Sequence, residues 1–236
     1  AKVVRGHKGR MHHTYTHAVK GFTASLPDAA LKALRNDPRV DYIEQDQTFT
    51  VNQAVSPANQ ATWGLDRLDQ ADRPLDSLYY FKSTGSGVNA FIIDTGIRSD
   101  HVEFTGRLKP GFNAIADTNG TNDCNGHGTH VAGIVGGTTW GVAKGVSLIP
   151  VRVLNCAGSG TSSGVIAGID WVARSTARPA VANMSLAGGP SASVNAAVAG
   201  AVSKGVTMVV AAGNSNADAC ASSPASEPSA ITVGAT

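Results

Sequence analysis

Along the chain the spacing of apolar and polar positions changes character more than once. From His13 to Leu26, residues Thr, Tyr, Val and Phe form strand-like stretches interrupted at Lys20-Gly21. Pro27-Asp28 then opens a short helix carrying Ala30, Leu31 and Leu34, and Asn36-Asp37-Pro38 stops it. Val40 to Glu44 predicts a second strand, and the polar stretch Gln45 to Thr62, with Pro57 inside it, predicts a linker. Beyond it, strand and helix alternate. Val88 to Ile93 is a buried-strand run, Val131, Ile134 and Val135 have helical spacing, and Ser147 to Leu154 is a strand. Ser163 to Ala173 follows as helix, Ala180 to Leu186 as strand, Ser193 to Ser203 as helix and Val206 to Ala212 as strand. That order predicts a doubly wound α/β fold on a parallel sheet, whose chemistry gathers where the strands end. The leading unit has few large apolar residues and is expected to lean on the rest. No internal repeat or low-complexity tract breaks the pattern.

Composition narrows this picture. A length of 236 residues suits one α/β domain plus a smaller unit, and 42% hydrophobic with 15% charged residues describes a folded, small-residue-rich chain. The formal net charge of +2, with no long basic run, removes nucleic acid and acidic membrane surfaces from the expected partners. No apolar stretch reaches the roughly 20 residues needed to span a bilayer. No signal peptide opens the chain, but Ala1 is not an initiator methionine, so nothing follows about a leader. Three cysteines are an odd count: if two pair, one needs a partner elsewhere.

Three strand-edge positions carry candidate chemistry. Asp94 directly follows Ile92-Ile93 and precedes Thr95-Gly96, where a carboxylate needs a donor; alone it reads as a turn cap. His127 stands between Gly126 and Gly128 at a helix start, uncovered, where the helix terminus disfavours a standing imidazolium and suits a neutral base. A backbone-bonded turn histidine is the plain alternative. His127 and His130 are three apart and could share a face toward a metal, but the Glu of a His-Glu-x-x-His motif is absent, which ranks metal below catalysis. Asn214 ends the run Val209 to Gly213 with an amide that can donate into a cleft or make an Asn turn. Together, acid, imidazole and amide make a hydrolytic site that lacks its nucleophile.

Ile93-Asp94-Thr95-Gly96, Asn125-Gly126-His127-Gly128-Thr129-His130-Val131-Ala132-Gly133 and Ala211-Ala212-Gly213-Asn214 resemble three signature blocks of the subtilisin-like serine proteases. Trp63 to Arg67, Trp140 to Lys144, Gly158-Ser159-Gly160, Asn183 to Leu186 and Ser223 to Ser226 resemble the proteinase K and aqualysin branch. Gly21-Phe22, Ala33 to Val40 and Tyr42-Ile43-Glu44 resemble that family's inhibitory propeptide, a small ferredoxin-like α+β unit. The resemblance implies two domains, residues 1–53 and 54–236, both incomplete, with a cut between Thr50 and Gln60. It implies that Asp94 orients His127, that His127 shuttles the nucleophile's proton and that Asn214 steadies the oxyanion. Ser185, Leu186, Ala187 and Gly188 would pair with extended substrate on one side, and Gly158, Ser159 and Gly160 would line the other. Ala187, Gly188 and Gly189 hint at a permissive pocket.

The family's serine sits in a Gly-Thr-Ser-Met-Ala type block on a later helix. None follows Val233-Gly234-Ala235-Thr236, so the resemblance implies a fragment, inactive alone, of a secreted zymogen acting as a monomer on proteins and peptides. The propeptide's first strand would precede Ala1. Cys124 and Cys156 would form a disulfide, with Cys220 left for a cysteine beyond the end. Structural calcium would use the carbonyls of Pro228 and Ala230 in part, and no catalytic cofactor is expected. His7, His12, His13 and His17 are either acid sensors during maturation or solvated residues. The rival from another class is a non-catalytic module that holds a peptide without cutting it.

Overall fold

The computed structural model describes residues 4, 9–51, 61–76 and 78–235. Strand β1 (Arg10–Tyr15) pairs antiparallel with β2 (Gly21–Ser25), and helix α1 (Asp28–Arg35) follows. Pro27 caps that helix in extended geometry, as its fixed φ favours, and Ala30 and Leu34 face inward. The polar stretch expected to be a linker contains strand β3 (Thr48–Val51), and its end, from Ala61, belongs to helix α2 (Ala61–Asp69). Of the stretch from Thr50 to Gln60 where the processing bond is expected, residues 52–60 are outside the described residues, as is His7.

The expected strand at Val40 to Glu44 does not form. These residues run unpaired, with Tyr42 and Ile43 50% and 41% exposed. Their alternation imitates a strand, yet Glu44 is committed to a distant helix start and not to a neighbouring strand.

The principal sheet comes from β4 (Asn89–Asp94), β5 (Phe112–Asn113), β6 (Ser147–Arg152), β8 (Ala180–Met184), β10 (Val206–Ala211) and β11 (Ile231–Val233). Its order is β11-β10-β8-β4-β6-β5 and every pairing is parallel. Side chains of β4 alternate between two cores. Phe91 and Ile93 join Val165, Ile169, Val194 and Ala197 from helices α4 (Ser162–Arg174) and α5 (Ala192–Ser203). Ala90 and Ile92 join Leu148 and Ala132, the latter from helix α3 (His127–Gly136). Burial on both faces is why this strand reads as a continuous apolar run.

The stretch expected as one strand from Ala180 to Leu186 divides at Ser185. After β8 the chain leaves the main sheet, and β9 (Leu186–Gly188) joins β3 and β7 (Ser159–Thr161) in a second, three-stranded sheet of order β7-β3-β9. The leading hairpin rests on α4 and α5. Tyr15 donates its hydroxyl to the Ser163 carbonyl at 3.1 Å, and Asp170 Oδ1 accepts the N–H groups of Thr16, His17 and Ala18 at 3.2, 2.6 and 2.8 Å. Gly200 permits the approach, since a Cβ there would lie 1.7 Å from the Ala18 carbonyl oxygen.

Candidate active site

Asp94 is the last residue of β4, fully buried at the carboxyl edge of the sheet, and the Thr95 N–H donates to its Oδ1 at 2.7 Å. His127 opens α3 after Gly126, whose φ of 104° is left-handed and favours glycine. The imidazole Nδ1 lies 2.8 Å from Asp94 Oδ1 and 3.0 Å from Oδ2, and its side chain is 9% exposed. An ionised carboxylate only accepts, so Nδ1 carries the proton of this bond. Gly128 has a steric reason: a Cβ there would sit 2.2 Å from the Gly96 carbonyl oxygen, so any larger residue would push α3 off the Asp94 loop. His130, the other half of the metal alternative, is exposed one turn on, while Nδ1 of His127 is engaged by Asp94.

Two features near this pair are absent from the sequence reading. Asp123 accepts five hydrogen bonds from the Thr95 hydroxyl, the N–H groups of Asn125, Gly126 and Thr129, and the Thr129 hydroxyl. Burial works to raise its pKa, but the donors outweigh that and hold it below the ordinary carboxylate range. Arg152, fully buried at the end of β6, grips Asp117 with two bonds of 2.6 and 2.7 Å and donates to the Thr95 carbonyl at 3.2 Å. The guanidinium holds the Asp117 carboxyl well below its usual range. An Asp just ahead of Asn-Gly-His is a helix-start signal in the letters, whereas nothing local announces Arg152.

The expected peptide-binding strands face each other across a strand of the same chain. β3 lies antiparallel to both β7 and β9, with Phe49 opposite Gly160 on one side and Gly188 on the other, and Thr50 opposite Ser159 and Ala187. Phe49 is fully buried, and a Cβ on Gly188 would meet its ring at 2.9 Å. Gly158, with φ of 75°, turns the chain into β7, and Ser185 accepts from the Asn183 amide at 2.9 Å just before β9. Carboxylates fasten the approach to β3. Glu44 accepts from the Ser191 hydroxyl and, at 3.0 Å, from the Ser193 N–H, at the start of α5. Asp46 accepts from Ser162 Oγ at 2.7 Å, Ser163 N at 2.8 Å and Ser163 Oγ at 2.6 Å, at the start of α4. Anions at these N-termini satisfy open N–H groups and complement the helix dipoles.

Asn214 is exposed just beyond β10, after Gly213 at φ 102°. Since β10, β8 and β4 run parallel, it stands at the same edge of the sheet as Asp94, but among the described residues no hydrogen bond joins the two. Cys124 and Cys156 form a disulfide, tying the His127 loop to the turn before β7. Cys220 is an exposed free thiol. Pro228 and Ala230 lie in the turn before β11; the nearby Glu227 carboxylate is bonded to Ser229. Among the described residues no cluster of three acidic, His or Cys ligands forms there, and two carbonyls fall short of the six to eight oxygens that calcium takes.

Residues 85–236 match the subtilase family and residues 2–52 match the peptidase inhibitor I9 family. An extracellular serine proteinase of Thermus sp. (strain Rt41A) is 56% identical over 227 residues, 96% of this chain and 55% of that protein. Alkaline serine exoprotease A of Vibrio alginolyticus is 54% identical over 225 residues, 94% of this chain and 42% of that protein. The crystal structure of a cold adapted subtilisin-like serine proteinase superposes with a TM-score of 0.73 at 54% identity, over 75% of this chain and 65% of that one. The chain thus spans about half the length of these sequence relatives.

Proposed function

The chain belongs to the subtilase family, and from that premise we propose that the protein carrying it is a secreted serine endopeptidase made together with its own inhibitor. The observation that carries this reading is the bond from His127 Nδ1 to buried Asp94 at the edge of a parallel sheet. With Nδ1 protonated, Nε2 is the ring's lone-pair nitrogen. It takes the proton of an attacking serine hydroxyl, and the resulting imidazolium is stabilised by Asp94 until the proton passes to the leaving amine. Asn214 donates its amide to the oxyanion of the tetrahedral intermediate.

Substrate enters as an extended strand between β7 and β9, held through main-chain bonds to residues 158–160 and 185–188. Phe49 occupies that slot from within, so a large apolar side chain is expected at the corresponding substrate position. The unit ending in β3 is then the inhibitor, and the division at residues 53 and 54 marks where it separates. Secretion agrees with the disulfide and with a relative named extracellular. Structural calcium belongs to the same proposal, with Pro228 and Ala230 as two of its oxygens and the rest from outside the described residues.

The nucleophile is proposed to come from chain outside these 236 residues, which hold no Gly-Thr-Ser-Met-Ala block. Gly160-Thr161-Ser162 spells part of it, but Ser162 is engaged by Asp46 and Gln47. The test compares the full-length protein with its Asp94→Asn and His127→Ala variants on a chromogenic peptide. Asp94→Asn is expected to lower turnover about 10⁴-fold and His127→Ala about 10⁶-fold. The 236-residue chain should neither turn over substrate nor react with a fluorophosphonate. Labelling of any serine within it, or a His127→Ala protein with undiminished turnover, refutes the reading. A full-length protein that holds extended peptides without cleaving them would favour the binding-only alternative.

A further inference from the structure

The loop after β4 and the first turn of α3 share one carboxylate. Asp123, 9% exposed, takes Thr95 Oγ1, Asn125 N and Gly126 N on Oδ1, each at 2.9 Å, and Thr129 N and Oγ1 on Oδ2 at 2.9 and 2.6 Å. Thr95 Oγ1 in turn accepts the Gly128 N–H at 2.8 Å, and Thr129 Oγ1 accepts the Arg98 N–H at 3.0 Å. Residues on both sides of His127 are therefore pinned, directly or through Thr95, to the segment that carries Asp94. A bare helix N-terminus, equivalent to roughly half a positive charge, would oppose an imidazolium at its first residue. Asp123 places a full negative charge on those same N–H groups.

We propose that Asp123 is a positioning residue for the Asp94–His127 pair: it fixes the imidazole against Asp94 and cancels the helix-terminus field that would otherwise resist its protonation. Among the described residues, the charged and titratable groups around His127 include Asp94 on β4, Asp123 before α3, exposed His130 one turn on, and Arg98 and Arg152, which are paired with Asp100 and Asp117. These two cations are thus already compensated, and among the described residues Asp123 is a carboxylate beyond Asp94 placed to act on the ring. Asparagine cannot replace it, since one amide oxygen cannot serve five donors and its NH₂ would confront them.

This inference rests on the catalytic reading for its consequence, but its test requires no turnover. The full 236-residue chain, with ¹⁵N-labelled histidine, is titrated by NMR. Asp123→Asn is expected to lower the His127 pKa by about one unit and to broaden the Nδ1 proton resonance of the bond to Asp94. Asp123→Glu, which restores charge without the geometry, should recover most of the pKa but not the thermal midpoint. A folded Asp123→Asn chain with an unchanged His127 titration and only a lowered midpoint would make Asp123 a structural cap and overturn the proposal. Should Asp123→Asn fail to fold, Thr129→Val removes one donor and keeps the charge. A displaced Nδ1 resonance is expected there, and a wild-type resonance and titration overturn the idea. If His127 responds as expected while the full-length protein shows no peptide turnover, the catalytic reading fails and the electrostatic coupling stands.

Discussion

Replacing Phe49 by alanine tests whether the slot between β7 and β9 is held by a side chain or by backbone pairing alone. The ring is fully buried, in the cluster that includes Leu154, Val165 and Leu186, and rests on the bare backbone of Gly188. Truncating a phenylalanine so enclosed costs about 3–5 kcal/mol, the transfer energy of the ring plus the void it leaves. The pairing of Thr48–Val51 with both neighbours is made by the main chain and survives the substitution. If β3 opens as a local unit, the loss appears in its opening equilibrium, which should rise by roughly 140- to 4,000-fold at 1.4 kcal/mol per factor of ten. Hydrogen exchange read by mass spectrometry on the full chain supplies the measurement. Peptides covering residues 47–51, 159–161 and 186–188 should lose protection together, while one covering β4 should not. A loss below about tenfold in all three would refute the reasoning, leaving main-chain pairing and the carboxylate caps as what holds the strand.

Those caps give the next expectation. Glu44→Gln with Asp46→Asn removes anions from two separate helix starts, each worth about 0.5–2 kcal/mol, so the same exchange measurement should show about 1–4 kcal/mol lost at β3 and none at β4. The disulfide between Cys124 and Cys156 spans a sequence separation of 32 residues, and closing such a loop is worth about 3–4 kcal/mol. The double alanine variant should therefore melt roughly 10 °C lower, and a drop under about 3 °C contradicts this. Burial pushes the Tyr15 phenol up to about 12 from 10.0, with the Thr23 hydrogen bond only partly opposing it. A raised acid contributes stability that is complete below about pH 10 and is lost as pH climbs through 12. Denaturant melts between pH 9 and 12 should show the leading hairpin weakening along that limb, and Tyr15→Phe should flatten it.

The parallel sheet was legible because strands buried on both faces carry their apolar residues consecutively, as Phe91, Ile92 and Ile93 do. The start of α3 was legible because Gly126 and Gly128 are demanded by backbone geometry and by contact with Gly96. β3 was not, since Thr48–Val51 contains one large apolar residue at its centre and finds partners more than a hundred residues away in sequence. Val40 to Glu44 misled for the converse reason: the alternation was there, but no strand lay alongside to use it. Asp94 and His127 could be named from local letters. Asp123 left a local helix-start signal through its bonds to Asn125, Gly126 and Thr129, but its link to Thr95 beside Asp94, and the whole of Arg152's role, depend on groups that only the tertiary fold brings near.

The sheet β7-β3-β9 admits one strand between two others, and neighbouring strands lie about 4.8 Å apart. If β3 departs, as the proposed function has it, the opening is roughly twice that spacing, about 10 Å, too narrow for the diameter of a helix with its side chains. On the proposed peptidase reading, a folded target would be open to attack only where some length of it has already pulled free and straightened. If that reading holds, digestion of native proteins by the full-length protein would keep time with the target's own local melting, and a rigid, well-knit target would survive contact that a frayed one does not.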